Sequence, residues 1–456
     1  MERYILFVFY DFETTGIKPA FIQPTQVGAI LVDENFNEIE RFELRCRLSP
    51  HILPSPIALA ITRVTPKMLT DKNLPTWFEF SQELSSLIDK WSPATWIGYN
   101  NISYDEEVMR HSFYQNLHPN LYKTQFDGND RMDLMKIIYA VHALIPNLLN
   151  WTFKPDGKLT FKLDKLATAN GFEHHNAHDA LGDVEATIYL AKLIRNQAPD
   201  FWQQCLRNKD KNKVNNLLES GKPLTLVERF GASAPRVYTG IYVGRNPSYN
   251  NSIGFLDLNR EDPLSLIESN DETLLKAVSK SPQEIRTIVV NKFPSLFEIA
   301  KIEEHHLKLA NHFNTNTIFY QKIGRTLQAK LGDREEYEHV EQRIYDAFYS
   351  TKDRQLLQQF QVSSWEDRLK IIGEFEDARL RQLGNRIIFI NRPDLIDISK
   401  HPMVNAAIQR RWRSNDPKAP WTNIVQVNQD LKELESLNLI DTSQLNDLVR
   451  YYESFN

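Results

Sequence analysis

The sequence predicts an α/β domain at the N-terminus, followed by a smaller β-rich domain and a helical C-terminal domain. In the first 195 or so residues, β-forming apolar runs come first and then alternate with helical segments. Short β-prone segments with turn residues between them follow, and from about Glu338 onward the chain is rich in helix formers. A chain of 456 residues has room for about three domains of ~150 residues each. We place these domains at residues 1–198, 199–338 and 339–456.

The predicted strands of the first domain are runs of β-forming, mostly apolar residues: Tyr4–Tyr10, Val27–Val32, Ile39–Leu48 and Thr95–Tyr99. The first run is apolar throughout, as expected of a strand buried on both faces, and the next two should form an antiparallel meander. The predicted helices have helical periodicity or a capping pattern: Ser103–Asn116, Met132–Leu144, Leu163–Asn170 and Ala180–Arg195. Gly171 suits the left-handed position just past a helix end.

The second domain is predicted from β-prone segments that turn signals separate: Val237–Val243, Ile253–Leu258 and Ile285–Val290. Helices near 302–331 extend this domain. Before it, Arg207–Lys213 is a basic, polar stretch that indicates a connector. Prolines at 393, 402, 417 and 420 should interrupt the helices of the third domain.

The composition narrows the possible functions. The chain is 41% hydrophobic and 25% charged, as soluble globular proteins are, and its net charge of −5 gives no overall attraction for nucleic acid. A polyanionic substrate must therefore meet local basic surface or carboxylates that a metal neutralises. The two cysteines, Cys46 and Cys205, exclude a disulfide framework. The apolar start is too short for a membrane span and has no cleavage site, so we expect a cytoplasmic protein without membrane contact.

Two acidic residues follow the first apolar run, in the triplet Asp11-Phe12-Glu13. The period of two in a strand puts both carboxylates on one face and turns Phe12 toward the packing on the other. Adjacent carboxylates repel each other, so one holds a proton unless a cation neutralises both. Ligands that are all oxygen suit Mg²⁺ or Mn²⁺ better than zinc. Alone, such a triplet is more often a solvated strand end.

Three further residues complete a pattern, although each has an ordinary explanation. Asp105 lies in the first turn of a predicted helix, where the helix dipole favours an acidic residue. His178 and Asp183 are five positions apart, so they do not share one face of a continuous helix. We expect His178 on the approach loop and Asp183 on the helix. Alone, these could be a surface or capping histidine and an exposed helix charge, with Asp179 as the N-cap.

Taken in order, Asp11, Glu13, Asp105, His178 and Asp183 resemble the pattern of the DEDDh exonucleases, whose domain has a ribonuclease-H-like fold. Other segments look like the bacterial exodeoxyribonuclease I family. Within the nuclease domain these are Tyr10–Thr14, Ile61–Pro66, Gly98–Asn101 with Tyr104-Asp105, and Asn176–Ala180. Beyond it they are Asn291–Pro294 and Gln409–Trp412. The resemblance therefore runs over nearly the whole chain.

The resemblance implies a ribonuclease-H-like exonuclease domain, an SH3-like β-domain and an all-helical C-terminal domain. It implies processive 3′→5′ degradation of single-stranded DNA to 5′-mononucleotides, in DNA repair and recombination. It also implies a monomer in the bacterial cytoplasm that binds the C-terminal tail of single-stranded DNA-binding protein, with Lys222 at a basic contact position. The implied cofactor is two Mg²⁺ ions, for which Mn²⁺ could substitute.

The implied mechanism is two-metal hydrolysis, with the ions roughly 3.5–4 Å apart. Asp11 would bridge the ions, Glu13 and Asp183 would complete the site of the attacking water, and Asp105 would support the second ion. His178 would be the general base. The expected substrate contacts are Glu13, Thr14 at the terminal 3′-OH, and Arg63.

The sequence departs from the family pattern at three places. Thr15 and Arg63 stand where the family has an aromatic residue and a glycine, which affects the fit of the terminal nucleotide. The segment Ile145–Trp151 lacks an arginine expected for the partner tail. The basic stretches Arg207–Lys213 and Gln409–Arg413 are candidates to grip the strand, or they are solvated helix faces.

Three alternatives are weighed against this reading: a DEDDh enzyme that acts on RNA, a catalytically idle nucleic-acid-binding scaffold, and a purely structural three-domain protein. A catalytically idle scaffold or a purely structural protein would not need five groups that repel one another or titrate, so the five residues argue against both. The metal-site residues do not distinguish DNA from RNA.

Overall fold

The computed structural model describes residues 6–173, 179–332, 336–437 and 439–455. The strands are β1 (Phe7–Thr14), β2 (Pro24–Val32), β3 (Glu38–Arg45), β4 (Thr95–Gly98), β5 (Asp130–Asp133), β6 (Thr152–Phe153), β7 (Leu159–Thr160), β8 (Leu224–Glu228), β9 (Arg236–Arg245), β10 (Ser252–Asp257), β11 (Ile285–Val289) and β12 (Leu296–Glu298).

The α-helices are α1 (Pro56–Thr62), α2 (Pro66–Leu69), α3 (Trp77–Trp91), α4 (Asp105–Gln115), α5 (Leu134–Leu144), α6 (Leu163–Ala169), α7 (Ala180–Gln197), α8 (Pro199–Arg207), α9 (Lys211–Glu219), α10 (Asp271–Ser279), α11 (Glu304–Asn314), α12 (Thr317–Leu331), α13 (Thr351–Val362), α14 (Trp365–Glu374), α15 (Ala378–Asn391), α16 (His401–Trp412), α17 (Ile424–Leu437) and α18 (Thr442–Glu453).

The first sheet has five strands in the order β3-β2-β1-β4-β5. The pairs β1–β2 and β2–β3 are antiparallel, and β1–β4 and β4–β5 are parallel. The predicted meander is therefore confirmed, and β1 lies in the centre of the sheet. Alternate residues of β1 enter two cores, because Phe7 and Phe9 face α5, α6 and α7 while Val8, Tyr10 and Phe12 face α3 and α4.

The second sheet is small and antiparallel, with the order β11-β10-β9-β8-β12. Helices α10, α11 and α12 cover one face of it, and α9 packs on the other. Phe297 of β12 stacks on Phe201 of α8, with 5.2 Å between the ring centroids, and joins this unit to the nuclease core. This agrees with the predicted β-rich domain extended by helices.

The C-terminal helices pack on the α3/α4 side of the first unit. Phe78 of α3 and Tyr114 of α4 share a core with α13, α14 and α15. A separate core joins α1 and α2 to α17 and α18, in which the buried Tyr452 donates a hydrogen bond to the Pro54 carbonyl at 2.8 Å. The helical third part is as predicted, and no helix in the described ranges is long and apolar enough to cross a membrane.

Several predicted element boundaries are wrong. The first strand does hold Asp11 and Glu13 at its C-terminal end, as predicted, since it runs from Phe7 to Thr14, while Met1–Ile5 lie outside the described residues. No capping box opens α4, because its N-cap is Tyr104 and that side chain makes no cap hydrogen bond. Met132 belongs to β5 rather than to the following helix, since Asp133 caps α5 by accepting from the Met135 N–H. Gly171, with a φ of +94°, follows α6 as predicted.

The basic stretch Arg207–Lys213 is not an open connector. Arg207 ends α8, and α9 begins at Lys211, so only three residues separate the two helices. Asp210 starts α9 by accepting from the N–H groups of Asn212 and Lys213.

Candidate active site: carboxylates at the end of the central strand

Asp11 and Glu13 lie on one face of β1, as the strand period predicts. Both occupy odd positions, like Phe7 and Phe9, so their side chains point toward α7 and away from Phe12. Asp11 is partly exposed, and Glu13 is buried, with 8% of its surface accessible. The strand therefore presents two acidic groups at the edge of an apolar core.

Helix α7 brings Asp183 to this pair. Oxygen atoms of Asp11, Glu13 and Asp183 all lie within 4.8 Å of one another. The helix approaches the sheet closely because residue 28 of β2 is glycine: a Cβ there would come within 2.6 Å of the Leu181 backbone nitrogen. Gly28 is the cross-strand partner of Asp11, so the first turn of α7 rests directly beside the carboxylates.

Asp105 stands next to this group of three, on the first turn of α4. Its Oδ1 accepts a hydrogen bond from the Phe12 backbone N–H at 3.2 Å, which holds the carboxylate between Asp11 and Glu13 along the strand. Asp105 is buried, with 4% of its surface accessible. Four predicted site residues are thus brought together by β1, α4 and α7.

The carboxylates strongly disfavour one another's ionisation. Burial, together with Asp105, Glu13 and Asp183, raises the pKa of Asp11 well above its ordinary value. Burial raises the pKa of Glu13 to about 9, with Asp183, Asp105 and Asp179 adding to it and Arg45 opposing it. Burial also raises the pKa of Asp105 to about 7, against the hydrogen bond from Phe12. A divalent cation would relieve this repulsion, so the donor set fits one.

A buried ion-pair network fixes the start of α4. Glu106 accepts hydrogen bonds from the hydroxyl of Tyr10 at 2.8 Å and from Thr124. Arg131 and Arg110 bind its other oxygen at 2.9 and 3.2 Å. Although burial opposes it, these two guanidinium groups hold the pKa of Glu106 below its ordinary value. Glu106 is therefore ionised and paired, in contrast to its neighbour Asp105.

A second polar cluster lies beside Glu13. Gln26 of β2, the cross-strand partner of Glu13, donates to Asp179 and to Glu43, both at 2.8 Å. Arg45 of β3 pairs with the same Asp179 oxygen at 3.0 Å. Asp179 is the N-cap residue of α7, as predicted, but its side chain makes no cap hydrogen bond.

Thr14 and Arg63 are the predicted substrate contacts. The Thr14 hydroxyl hydrogen-bonds with the Gly16 carbonyl at 2.8 Å and the Tyr104 hydroxyl at 2.7 Å, so Tyr104 ties the end of β1 to α4. Arg63 is exposed and ends α1 with a φ of +54°. That left-handed conformation favours glycine, which gives a physical reason for the glycine of the family pattern at this position.

Other predicted site residues lie elsewhere. His178 falls in 174–178, outside the described residues. Lys222 is exposed in the turn between α9 and β8, next to Gly221. The segment Ile145–Trp151 includes a short 3-10 turn, Pro146–Leu148.

The two basic stretches are partly committed to contacts within the protein. Arg207 pairs with Glu298 at 2.6 Å and Lys209 with Asp130 at 2.9 Å. Arg411 pairs with the buried Glu341 at 2.8 Å, and its guanidinium lies over the Phe21 and Trp421 rings. The exposed basic residues of the two stretches are Arg207, Lys211, Lys213, Arg410 and Arg413.

Sequence reasoning missed Gln26, Arg45, Tyr104 and the network of Glu106. Glu106 follows Asp105 directly. Acidic residues in the first turn of a helix are favoured by the helix dipole, so the sequence alone does not show which of the two has a further role. Gln26 gave no usable signal, since its partner Asp179 is 153 positions away.

Another group of potential metal ligands, Glu303, His305 and His306, lies at the start of α11. Its two imidazoles distinguish it from the all-oxygen set at β1, which is the one that suits Mg²⁺ or Mn²⁺. Clustered carboxylates of that kind can hold metal ions against a phosphodiester.

Comparison with known proteins agrees with this chemistry. A family model described as Exonuclease matches residues 8–191, and one described as Exonuclease I C-terminal domain matches residues 338–455. The exodeoxyribonuclease I of Haemophilus influenzae is 30% identical over 414 residues, which cover 84% of this chain and 85% of that protein.

Solved structures with similar folds span the whole chain. Exonuclease I of E. coli in complex with a dA16 oligonucleotide has a TM-score of 0.85 and 26% identity, covering 99% of this chain and 100% of that chain. A crystal structure of SSB/exonuclease I with the inhibitor CFAM has a TM-score of 0.83 and 25% identity, covering 100% of both chains. The first unit therefore has the ribonuclease-H-like exonuclease fold, and the third matches the C-terminal domain of these enzymes.

Proposed function

Because this chain belongs to the exodeoxyribonuclease I family and is a nuclease that acts on DNA, we propose that it shortens single-stranded DNA from the 3′ end with the help of divalent metal ions. The released products are 5′-mononucleotides, and the role is in DNA repair and recombination. The family assignment favours DNA over RNA as the substrate and favours an enzyme over a purely structural protein.

The observation that carries this proposal is the convergence of Asp11, Glu13 and Asp183 within 4.8 Å in a partly buried site. Burial, and after it the repulsion from the neighbouring carboxylates, raises the pKa values of Asp11 and Glu13. Carboxylates that repel one another in a partly buried site destabilise the folded protein, so such a cluster indicates a functional site. Because all of its ligand atoms are oxygens, the function that it favours is binding of a divalent cation.

The proposed cofactor is a pair of Mg²⁺ ions, with Mn²⁺ as a possible substitute. Asp11, Glu13 and Asp183 would hold them, with Asp105 in support. Bound divalent ions would neutralise charge on the phosphate and lower the pKa of the attacking water. Asp105 is kept in place by the Phe12 N–H and by the Glu106 network behind it. We assign the general base to His178 and a contact with the terminal nucleotide to Glu13, Thr14 and Arg63.

Two structural relatives support the proposed partners. The E. coli enzyme has been solved with a dA16 oligonucleotide, and an exonuclease I structure is described together with SSB. We propose that this chain binds single-stranded DNA along the exposed basic residues Lys211, Lys213 and Arg410. We propose that Lys222 contacts the tail of single-stranded DNA-binding protein.

We retain the division into an exonuclease domain (1–198), an SH3-like domain (199–338) and a helical domain (339–456), acting as a monomer in the bacterial cytoplasm. The five-stranded antiparallel sheet β11-β10-β9-β8-β12 supports the second of these domains.

The test replaces one ligand without changing its size. Asp11→Asn and Asp183→Asn each remove a carboxylate charge, so Mg²⁺-dependent hydrolysis of a labelled single-stranded oligonucleotide should fall by at least about 100-fold. In metal-free buffer at pH 8 the same variants should be more stable than the wild type, because one repelling charge is gone.

Glu185→Gln is the matched control. Glu185 lies on α7 too, but its side chain is 42% exposed and pairs with Arg41 at 3.1 Å. Its loss should leave the rate unchanged. Wild-type rates in Asp11→Asn and Asp183→Asn would overturn the assignment of the site.

A further inference from the structure

Asp179, the residue just before α7, is attached to two strands of the sheet. Its Oδ1 accepts a hydrogen bond from Gln26 Nε2 at 2.8 Å and pairs with Arg45 at 3.0 Å. An aspartate at this position ordinarily accepts from the backbone N–H groups of its own helix. Here it makes no such bond. Its carboxylate joins the helix to the sheet instead of capping the helix.

Gln26 is buried, and both donors of its amide are used in hydrogen bonds. It is 1% exposed, and the two N–H groups of its amide are divided between Asp179 and Glu43, both at 2.8 Å. Glu43 lies 3.4 Å from Arg45 and so orients both donors that reach Asp179. An amide can donate to two carboxylates at once, whereas a carboxylate at position 26 would repel both.

The attachment lies directly beside the proposed metal ligands. In the β1–β2 pair, Gln26 is opposite Glu13 and Gly28 is opposite Asp11. The backbone of Ala180 and Leu181 packs closely against Gly28, and Gln26 donates a hydrogen bond to Asp179. The first turn of α7 is therefore seated on the two β2 residues that neighbour the carboxylates of β1.

One helical turn transmits this placement to Asp183. The Asp183 N–H donates to the Asp179 carbonyl at 3.0 Å, which is a backbone hydrogen bond of the first turn. We propose that Gln26, with Arg45, is a positioning residue that holds Asp179 so that Asp183 reaches Asp11 and Glu13. This inference rests on the proposed function of the carboxylate cluster.

The experiment compares two ways of loosening α7. Gln26→Ala removes the hydrogen bond from β2 to Asp179 at its first turn and leaves the ion pair with Arg45. Arg41→Ala removes the ion pair from β3 to Glu185 further along the same helix, away from the carboxylates. Each variant is measured for kcat and KM on a labelled single-stranded oligonucleotide with Mg²⁺, for Mn²⁺ binding by calorimetry, and for its thermal midpoint.

Gln26→Ala should lower kcat or weaken Mn²⁺ binding by about 10–100-fold, as expected when a group that orients a metal ligand is lost. KM for the oligonucleotide should change little, since the strand contacts are untouched. Arg41→Ala should match the wild type in both kcat and Mn²⁺ binding. A purely structural role for Gln26 would lower the thermal midpoint without this selective loss.

A second pair of variants leaves the buried Gln26 in place. Asp179→Asn keeps an oxygen that accepts from Gln26, so it should retain most of the Mn²⁺ affinity and kcat. Asp179→Ala removes the acceptor of both Gln26 and Arg45, so it should lower kcat or Mn²⁺ affinity at least as much as Gln26→Ala does.

The outcomes separate this inference from the function on which it rests. If the wild type neither binds Mn²⁺ nor degrades the oligonucleotide, the proposed function fails. If the wild type does both, and Gln26→Ala and Asp179→Ala change them no more than Arg41→Ala does, the positioning role is overturned.

Discussion

Replacing Gly28 with alanine should separate α7 from the carboxylates on β1. The added Cβ would lie 2.6 Å from the Leu181 nitrogen and 2.7 Å from the Ala180 carbonyl carbon. Both are backbone atoms, so no side-chain rotation can relieve the contact. An ordinary contact begins near 3.4 Å, which requires the helix or the strand to move by about 0.8 Å.

The size of that movement sets the expected effects. Overpacking of a well-packed core costs about 1–3 kcal/mol. A misplacement of about 1 Å at a reacting site costs up to about 100-fold in rate. We therefore expect Gly28→Ala to lower the free energy of unfolding by about 1–3 kcal/mol and kcat by about 10–100-fold, because Asp183 moves with α7.

The assay combines urea unfolding with Mg²⁺-dependent hydrolysis of a labelled single-stranded oligonucleotide. Gly373→Ala is the control, because it makes the same chemical change within α14, where among the described residues no atom beyond its chain neighbours and its own helix backbone lies within 4 Å of the new Cβ. That control should gain about 0.5–1 kcal/mol of stability and keep wild-type activity. A folded Gly28→Ala protein with wild-type kcat would refute the reasoning that α7 must sit this close.

Three further predictions follow from the charges. In metal-free protein the pKa values of about 9 for Glu13 and about 7 for Asp105 exceed their ordinary values, so these groups hold protons when folded that they release on unfolding. Stability should therefore decline as the pH rises from about 4 to about 9, with the part due to Asp105 lost by about pH 7 and the part due to Glu13 by about pH 9. The rise in thermal midpoint with Mg²⁺ should grow over that range, and a rise independent of pH would argue against metal binding there. Glu106→Gln removes the anion that pairs with the buried Arg131 and one of the two that pair with Arg110, which keeps Glu107, and it should lower the free energy of unfolding by about 3–5 kcal/mol in urea, with wild-type stability as the contrary result. Arg410→Ala should reduce the slope of log affinity against log salt for single-stranded DNA by about 0.7, whereas Arg411→Ala should mainly lower stability because it leaves the buried Glu341 with one partner fewer; equal salt slopes in the two variants would contradict this division.

The sequence predicted the central part of the fold well, because local patterns determine it. The apolar run before Asp11 required a buried strand, and the period of two placed Asp11 and Glu13 on one face, as the structure has them. Asp105 and Asp183 were predicted from their order and context, and the structure places both beside that face.

Element boundaries were harder to predict, since neighbouring residues compete for the same signal. Ser103 fits a capping pattern, but the turn that ends β4 delays the helix to Asp105, whose carboxylate binds the Phe12 N–H. Met132 fits the periodicity of α5 but pairs with Ile97 in the sheet. Tertiary contacts decide both cases, and local propensity does not contain them.

Contacts between distant parts of the chain could not be predicted from one sequence. The attachment of Gln26 to Asp179, and the pairing of Arg411 with Glu341, join residues whose types are common and whose separations are long. Such contacts change the roles that the sequence suggested for these residues. Asp179, predicted as an N-cap, holds the helix to the sheet, and Arg411, part of a stretch predicted to grip the strand, stabilises a packed interface.

The central claim is that the carboxylates around Asp11 make this chain a metal-dependent 3′→5′ exonuclease of single-stranded DNA. The most direct measurement follows product ladders from single-stranded DNA, duplex DNA and RNA, each labelled at the 5′ end, with Mg²⁺ and with EDTA. We predict stepwise shortening from the 3′ end of single-stranded DNA alone, release of 5′-mononucleotides, and no reaction in EDTA. Internal cuts, a preference for RNA, or undiminished hydrolysis in EDTA would contradict the claim.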